Sequence, residues 1–252
     1  MADEGRVALV TGAGRGIGRG VAARLSAEGH AVGLVSRTEA QLHETAALCS
    51  GPTLVLARDI TSTSAVDEVF AAVEHEWGPV DVLVACAGAG ASAPLAATSD
   101  EMWEEMLALN LTAPFRCIRR AVPAMVDRGG GSIVVVASVV AKRGEPYVAA
   151  YTASKHGVLG VVRSAAAELA TKGVTVNAVC PGYVDTPMTD HTIEVIAERT
   201  GRTRDEARRE LERKQPHQRL VTVDEVVAAV WACVSNPGIS GQALVVDGGG
   251  LQ

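Results

Sequence analysis

The chain has 252 residues, a formal net charge of −6, 48% hydrophobic residues and 21% charged residues. That length suits one large α/β domain, and the composition excludes a disordered chain. The acidic balance argues against a nucleic-acid partner, which needs clustered positive charge. The five cysteines (Cys49, Cys86, Cys117, Cys180 and Cys233) contain no CxxC pair. Neither a disulfide framework nor a metal site is therefore expected, and a reducing, cytoplasmic setting is.

In chain order, Met1–Arg6 is acidic and lacks the apolar core of a signal peptide. Strand-like runs follow at Val7–Thr11, Ala31–Ser36, Thr53–Arg58, Val80–Cys86, Ser132–Ser138, Val174–Cys180 and Ala243–Val246. Several are apolar almost throughout, as strands covered on both faces are. Helical patterns fall between them at 16–28, 38–49, 64–77, 99–127, 149–171, 188–214 and 223–234. This alternation predicts an α/β fold with a doubly wound parallel sheet of seven strands, built from right-handed crossovers. No linker or repeat interrupts it, so 1–252 reads as a single domain. The charged helical stretch 187–216 is too long for a crossover and reads as an inserted lid. Val82–Ser99 is uncharged but broken by Gly88, Gly90 and Pro94, which predicts a buried strand entering a loop rather than a membrane span. Ligands of such a sheet sit beyond the carboxyl ends of its strands.

After the first strand, Thr11-Gly-Ala-Gly-Arg-Gly-Ile-Gly18 opens directly into a helix. Glycines let the backbone approach a pyrophosphate, and the helix N-terminus offers free N–H groups. This strand–turn–helix context predicts a dinucleotide site. The second strand ends in Ser36-Arg37-Thr38 with no carboxylate before Glu39. An acidic residue there would select NAD, whereas arginine accommodates the 2′-phosphate of NADP. With Arg15 inside the glycine turn as a second cation, NADP(H) is favoured, and NAD(H) is the alternative. Tyr151 and Lys155 lie four apart at a helix start, one turn apart on one face. Only three tyrosines occur, so such a pair is rare by chance. Ser138 ends the fifth strand, thirteen residues earlier, on the sheet edge where ligands bind.

Together with Asp59-Ile60, Asn110 and Pro181-Gly182, these motifs resemble the short-chain dehydrogenase/reductase family, in order and spacing over essentially the whole chain. The resemblance implies a Rossmann fold and a hydride transfer between a nicotinamide and a ketone or secondary alcohol. It implies that Tyr151 is the general acid or base, that Lys155 assists it and holds the nicotinamide ribose, and that Ser138 steadies the substrate oxygen. Asn110 would hold a water for proton relay. Gly12, Gly16, Ile17 and Gly18 would cradle the pyrophosphate, with Asp59 and Ile60 at the adenine. Ala87 and Gly88 would form the cofactor wall, and Pro181, Gly182, Val184 and Thr186 would line the carboxamide side. Asp59 also reads as an N-cap of the following helix. One departure is Ala85-Cys86-Ala87-Gly88, where the family commonly has Asn-Asn-Ala-Gly. Cys86, Cys117 and Cys180 read as small buried hydrophobes.

Three functions compete. Val184-Asp-Thr-Pro-Met188 resembles ketoreductases of aromatic polyketides, pointing to a β-ketoacyl thioester or bulky hydrophobic ketone. Ala197–Pro216 resembles the lid of 3-hydroxybutyrate dehydrogenases, but Gly90, Val140 and Val148 stand where those enzymes bind the carboxylate. A non-catalytic nucleotide-binding scaffold is the third, against which the intact Ser138, Tyr151 and Lys155 argue. The lid's basic residues read either as contacts to a carrier's phosphates or as partners of the lid's own acids at helical spacing. The resemblance also implies a homotetramer packed through 99–127, 149–171 and the last strand, with Val158, Val161 and Ala165 as an apolar face.

Overall fold

A computed structural model describes residues 6–251, so the reading of the N-terminal segment lies outside the described residues except at Arg6. The strands are β1 (Val7–Thr11), β2 (Ala31–Ser36), β3 (Thr53–Ala57), β4 (Val82–Ala85), β5 (Gly131–Val136), β6 (Val174–Pro181) and β7 (Ala243–Val246). They form one parallel sheet in the order β3-β2-β1-β4-β5-β6-β7, as the alternating pattern predicts. Winding reverses between β1 and β4, so the crevice above this pair is where a ligand belongs.

Residue alternation along each strand divides the core between two helical layers. From β1, Val7 and Leu9 face α3 (Thr63–Trp77), α5 (Ala113–Asp127) and α6 (Ala149–Leu169). Ala8 and Val10 face α1 (Gly16–Ala27) and α9 (Val223–Ser235). Close helix packing takes the place of aromatic bulk. A Cβ on Gly20 would stand 2.8 Å from Val223 Cγ1, so only glycine lets α1 and α9 approach this far. The short helix α2 (Glu39–Ala46) covers the β2–β3 edge.

Two expected helices are broken. The stretch 99–127 is α4 (Asp100–Leu107), a π turn over Ala108–Thr112, and α5. A π turn is a common device at functional positions, and Asn110 sits within it. The lid is also two helices, α7 (Pro187–Thr200) and α8 (Arg204–Arg213). Gly201 ends α7 at φ 71, and Thr203 with Glu206 forms a capping box that starts α8. The lid has its own small core of Ile193, Ala207, Leu211 and Leu220. Of the seven lid cations, Arg202 pairs with Glu210, Arg204 with Glu194 and Arg208 with Glu212 and Asp185, while Lys214 pairs with Glu145 outside the lid. The reading of these residues as partners of the lid's own acids therefore fits three of the seven, and only Arg208 with Glu212 does so at helical spacing. No described helix is long and apolar enough to cross a membrane, and after β4 the uncharged stretch runs into a loop.

Candidate active site

A cleft of about 320 Å³ opens at the switch point, within the size range of small-molecule sites (roughly 300–1,000 Å³). Gly12, Arg15, Gly16, Ile17, Gly18, Ser36, Arg37, Asp59, Ile60, Ala87, Gly88 and Thr186 all line it. The glycine turn is drawn tight against the wall. Gly12 has φ +69, and a Cβ there would lie 2.8 Å from Ala87 Cα; a Cβ on Gly18 would collide with Gly12 O. Thr11 Oγ1 accepts from Ala87 N at 3.2 Å, tying the turn to the segment after β4.

Two residues that carry no motif hold the turn from outside. Arg19 donates through Nη2 to Gly14 O (2.6 Å) and to Glu44 (2.6 Å), and buried Thr45 donates to Ala13 O (2.8 Å). Their roles depend on partners 5 to 32 positions away, which no local pattern records. Arg58, beside Asp59, also lines the cleft and pairs with Glu68. Arg15 and Arg37, by contrast, are exposed and make no ion pair among the described residues. Two unpaired guanidinium groups at the mouth of a glycine cradle fit a phosphate-bearing dinucleotide, and a 2′-phosphate in particular.

Asp59 is not the helix cap. That position belongs to Ser62, while Asp59 accepts from Thr61 N (3.0 Å) and Thr61 Oγ1 (2.8 Å). These bonds, with the Arg37 charge nearby, hold its carboxyl below the usual range against a smaller opposing effect of burial. The loop turns before α3 begins, leaving Asp59 at the cleft rather than at the helix end.

Asn110 and Lys155 meet at Gly88, and the Tyr151 ring lies 5.7 Å from Lys155 Nζ; these three and Ser138 lie behind the cleft and are not among the residues that line it. Ser138 follows β5 in extended backbone, and its Oγ accepts from Val140 N at 3.3 Å. Tyr151 and Lys155 lie on the first turns of α6. Burial raises the Tyr151 phenol above its ordinary pKa, and a hydrogen bond with Ser138 opposes this in part. Lys155 is 4% exposed, has no carboxylate partner among the described residues, and donates to Val136 O at 3.0 Å. Desolvation brings its pKa down to about 8. Asn110, 1% exposed, accepts from Ala89 N (3.1 Å) and donates to Ala89 O (3.0 Å). A Cβ on Gly88 would stand 2.9 Å from Asn110 Oδ1 and 3.6 Å from Lys155 Nζ, so glycine is required at this junction.

The remaining predicted residues divide. Thr186 borders the cleft with Pro187 and Met188, whereas Pro181, Gly182 and Val184 do not line it. Gly182 instead borders a small separate cavity with Tyr183, Lys214 and Gln215. Cys117 and Cys180 are buried as expected, but Cys86 is only half-buried and lines the cleft, its thiol pushed up to about 12 by burial.

The profile of the short chain dehydrogenase family matches residues 6–197. The chain is 38% identical to the 3-oxoacyl-[acyl-carrier-protein] reductase MabA of Mycobacterium bovis, over 97% of this chain and 92% of that protein. It is 32% identical to the D-beta-hydroxybutyrate dehydrogenase of Rhizobium meliloti, over 97% and 98%. Among solved structures it superposes on a variant of actinorhodin polyketide ketoreductase with NADPH at a TM-score of 0.92 and 36% identity, covering 98% of both chains. A profile match over residues 6–197, with relatives 32–38% identical across nearly the whole chain, places the chain in the short chain dehydrogenase family.

Proposed function

We propose that this chain reduces a ketone to a secondary alcohol with NADPH, its substrate being a β-ketoacyl thioester or a bulky hydrophobic ketone. The observation that carries this reading is the placing of Lys155 5.7 Å from the Tyr151 ring centre and, with Asn110, against Gly88, a residue of the cleft that the unpaired Arg15 and Arg37 also line. The neighbours named above as ketoreductase and 3-oxoacyl reductase support it.

Bound NADPH supplies the hydride. Gly12, Gly16, Ile17 and Gly18 would cradle its pyrophosphate, Arg15, Ser36 and Arg37 would take its 2′-phosphate, and Asp59 and Ile60 would meet the adenine. Ala87, Gly88, Pro181, Gly182, Val184 and Thr186 position the nicotinamide half in this reading, Pro181, Gly182 and Val184 through the backbone that carries Thr186. Tyr151 donates its phenolic proton to the carbonyl oxygen. A phenol raised by burial is fully protonated at neutral pH, the form that reduction requires. Ser138 donates to the same oxygen as charge builds on it. Lys155 steadies the phenolate that remains, and a water held near Asn110 restores the proton.

The same reading takes 1–252 as one domain of a cytoplasmic homotetramer. Half-exposed Trp103 on α4 and Phe115 on α5 supply apolar surface for assembly, while Val158 is fully buried in the chain's own core and supplies none. Scattering coupled to gel filtration measures the assembly directly.

A 3-hydroxybutyrate dehydrogenase is the second reading, favoured by the Rhizobium relative. Against it, Gly90 has nothing within 4 Å of its Cβ position and Val140 is 7% exposed and apolar, so neither pairs a carboxylate. The test is oxidation of NADPH with acetoacetate, acetoacetyl-CoA and a cyclic ketone. Consumption with the last two and little with acetoacetate is expected. No consumption with any of them would overturn the proposal, and a clear preference for free acetoacetate would favour the second reading.

A further inference from the structure

The cleft holds one more cation than the glycine turn and β2 supply. The chain as a whole has a formal net charge of −6, yet the residues lining this cleft include three arginines, Arg15, Arg37 and Arg58, against one carboxylate, Asp59. That carboxylate is itself engaged by Thr61 N and Thr61 Oγ1. A concave site with such an excess of one sign draws an ion of the other.

β3 delivers the third cation beside the second. Ala57 is in register with Ser36, and the next bond of the ladder runs from Arg58 N to Ser36 O at 3.0 Å. Arg58 therefore leaves the sheet next to Ser36 and Arg37, at the same strand-end level. Two contacts orient its guanidinium: Nε donates to Glu68 on α3 at 2.9 Å, and Nη1 donates to Ala57 O at 3.0 Å. Nη2 has no partner among the described residues. The Arg58 and Glu68 side chains are 51% and 57% exposed, so their ion pair lies in water and is weak. Two cations on neighbouring strand ends repel each other, and an anion between them turns that repulsion into attraction for both.

We propose that Arg58 is a specificity-determining residue for the cofactor: it exchanges Glu68 for the 2′-phosphate of NADPH and, with Arg37, closes a pair of guanidinium groups on that dianion. The proposal rests on the NADPH reading above. Glu68 is then the phosphate's competitor within the chain. It keeps Arg58 at the cleft in the free protein and lowers the affinity for the phosphate. The rival placement for Arg58 is a stack of its guanidinium plane on the adenine face. That contact would serve NADPH and NADH alike, whereas a phosphate contact serves NADPH alone.

The experiment measures dissociation constants of NADPH and NADH by fluorescence titration of the full chain, with no ketone present. The two cofactors differ only in the 2′-phosphate, so the ratio of their constants isolates it. Arg58→Ala should raise the NADPH constant about fivefold or more and leave the NADH constant within about twofold. Glu68→Gln should lower the NADPH constant about threefold, again with NADH within about twofold. That gain should vanish when Glu68→Gln is made in the Arg58→Ala background, because the partner it frees is gone. Equal weakening of both cofactors by Arg58→Ala would mean a contact to the adenine and would overturn the proposal. No weakening, or a Glu68→Gln gain that persists without Arg58, would overturn it too. A wild type that binds the two cofactors equally overturns it together with the NADPH reading. A preference for NADPH that is lost in Arg37→Ala and kept in Arg58→Ala overturns this proposal alone. Should Arg58→Ala melt below the assay temperature, Arg58→Gln serves in its place with the same expected outcomes.

Discussion

Lys155 Nζ lies 5.7 Å from the centre of the Tyr151 ring and donates to Val136 O, not to the phenol. The two groups one helical turn apart therefore meet as a cation over a ring and not through a hydrogen bond. Ser138 is the side chain that counters the effect of burial on the Tyr151 phenol. Burial of a lysine without a carboxylate partner is costly, and it places an ammonium that gives up its proton near pH 8 at the centre of the site.

The first consequence is kinetic. Tyr151→Phe removes the transferable proton and keeps the ring, so kcat should fall by roughly 10²–10⁴ with NADPH affinity changed by less than about threefold. Steady-state kinetics beside a fluorescence titration of NADPH measures both. Residual activity above about a tenth of wild type would mean another group delivers the proton.

The second concerns pH. The Lys155 pKa is lowered from 10.5 to about 8, so the folded protein releases this proton while the unfolded chain still holds it. Between about pH 8 and 10.5 the unfolded state binds more protons, and stability contributed by this group rises with pH across that window. Below pH 8 the penalty for the buried charge is present in full. Lys155→Met should therefore raise the unfolding free energy at pH 7 by roughly 1–3 kcal/mol while abolishing most activity. Denaturant melts at pH 7 and pH 10 test this; a stabilisation equal at both would show that the lysine charge is not its source.

Cofactor choice is the third. Each charge-assisted contact to a 2′-phosphate is worth roughly 1.5–3 kcal/mol. Arg37→Ala should raise the KM for NADPH tenfold or more and barely alter that for NADH. Arg15→Ala should act in the same direction. Equal use of the two cofactors by the unmodified chain would refute the role of both arginines.

A fourth prediction isolates Asn110. Its amide serves both main-chain groups of Ala89, so Asn110→Leu leaves a partly buried N–H and C=O without this partner, at about 1–3 kcal/mol in all. The melting temperature should drop by several degrees, as about 2–4 °C per kcal/mol is usual at this size. Calorimetry of the free protein reads this independently of catalysis, and an unchanged melting temperature would show that Ala89 finds other partners.

Much of this protein is determined locally. The seven strands follow from apolar runs covered on both faces, and the order of strand and helix dictates parallel crossovers. The glycine turn is legible because only glycine tolerates the φ of +69 at Gly12 and the approach of the wall. The Tyr151–Lys155 pair is legible because 3.6 residues per turn puts them on one face. Tertiary structure decided the rest, because those features depend on partners distant in sequence. A helix-period pattern over 99–127 cannot show the π turn that carries Asn110, since its amide is satisfied by Ala89 on another segment. Asp59 reads as a cap until its carboxylate is seen to bind Thr61, while Ser62 holds the N-cap position of α3. Arg19 and Thr45 look like ordinary helix residues until α1 and α2 meet over the glycine turn. Gln215 has no motif at all. Its place follows only from the return of the lid to Tyr183, whose half-buried main chain is met there by Gln215 and by Val221 N.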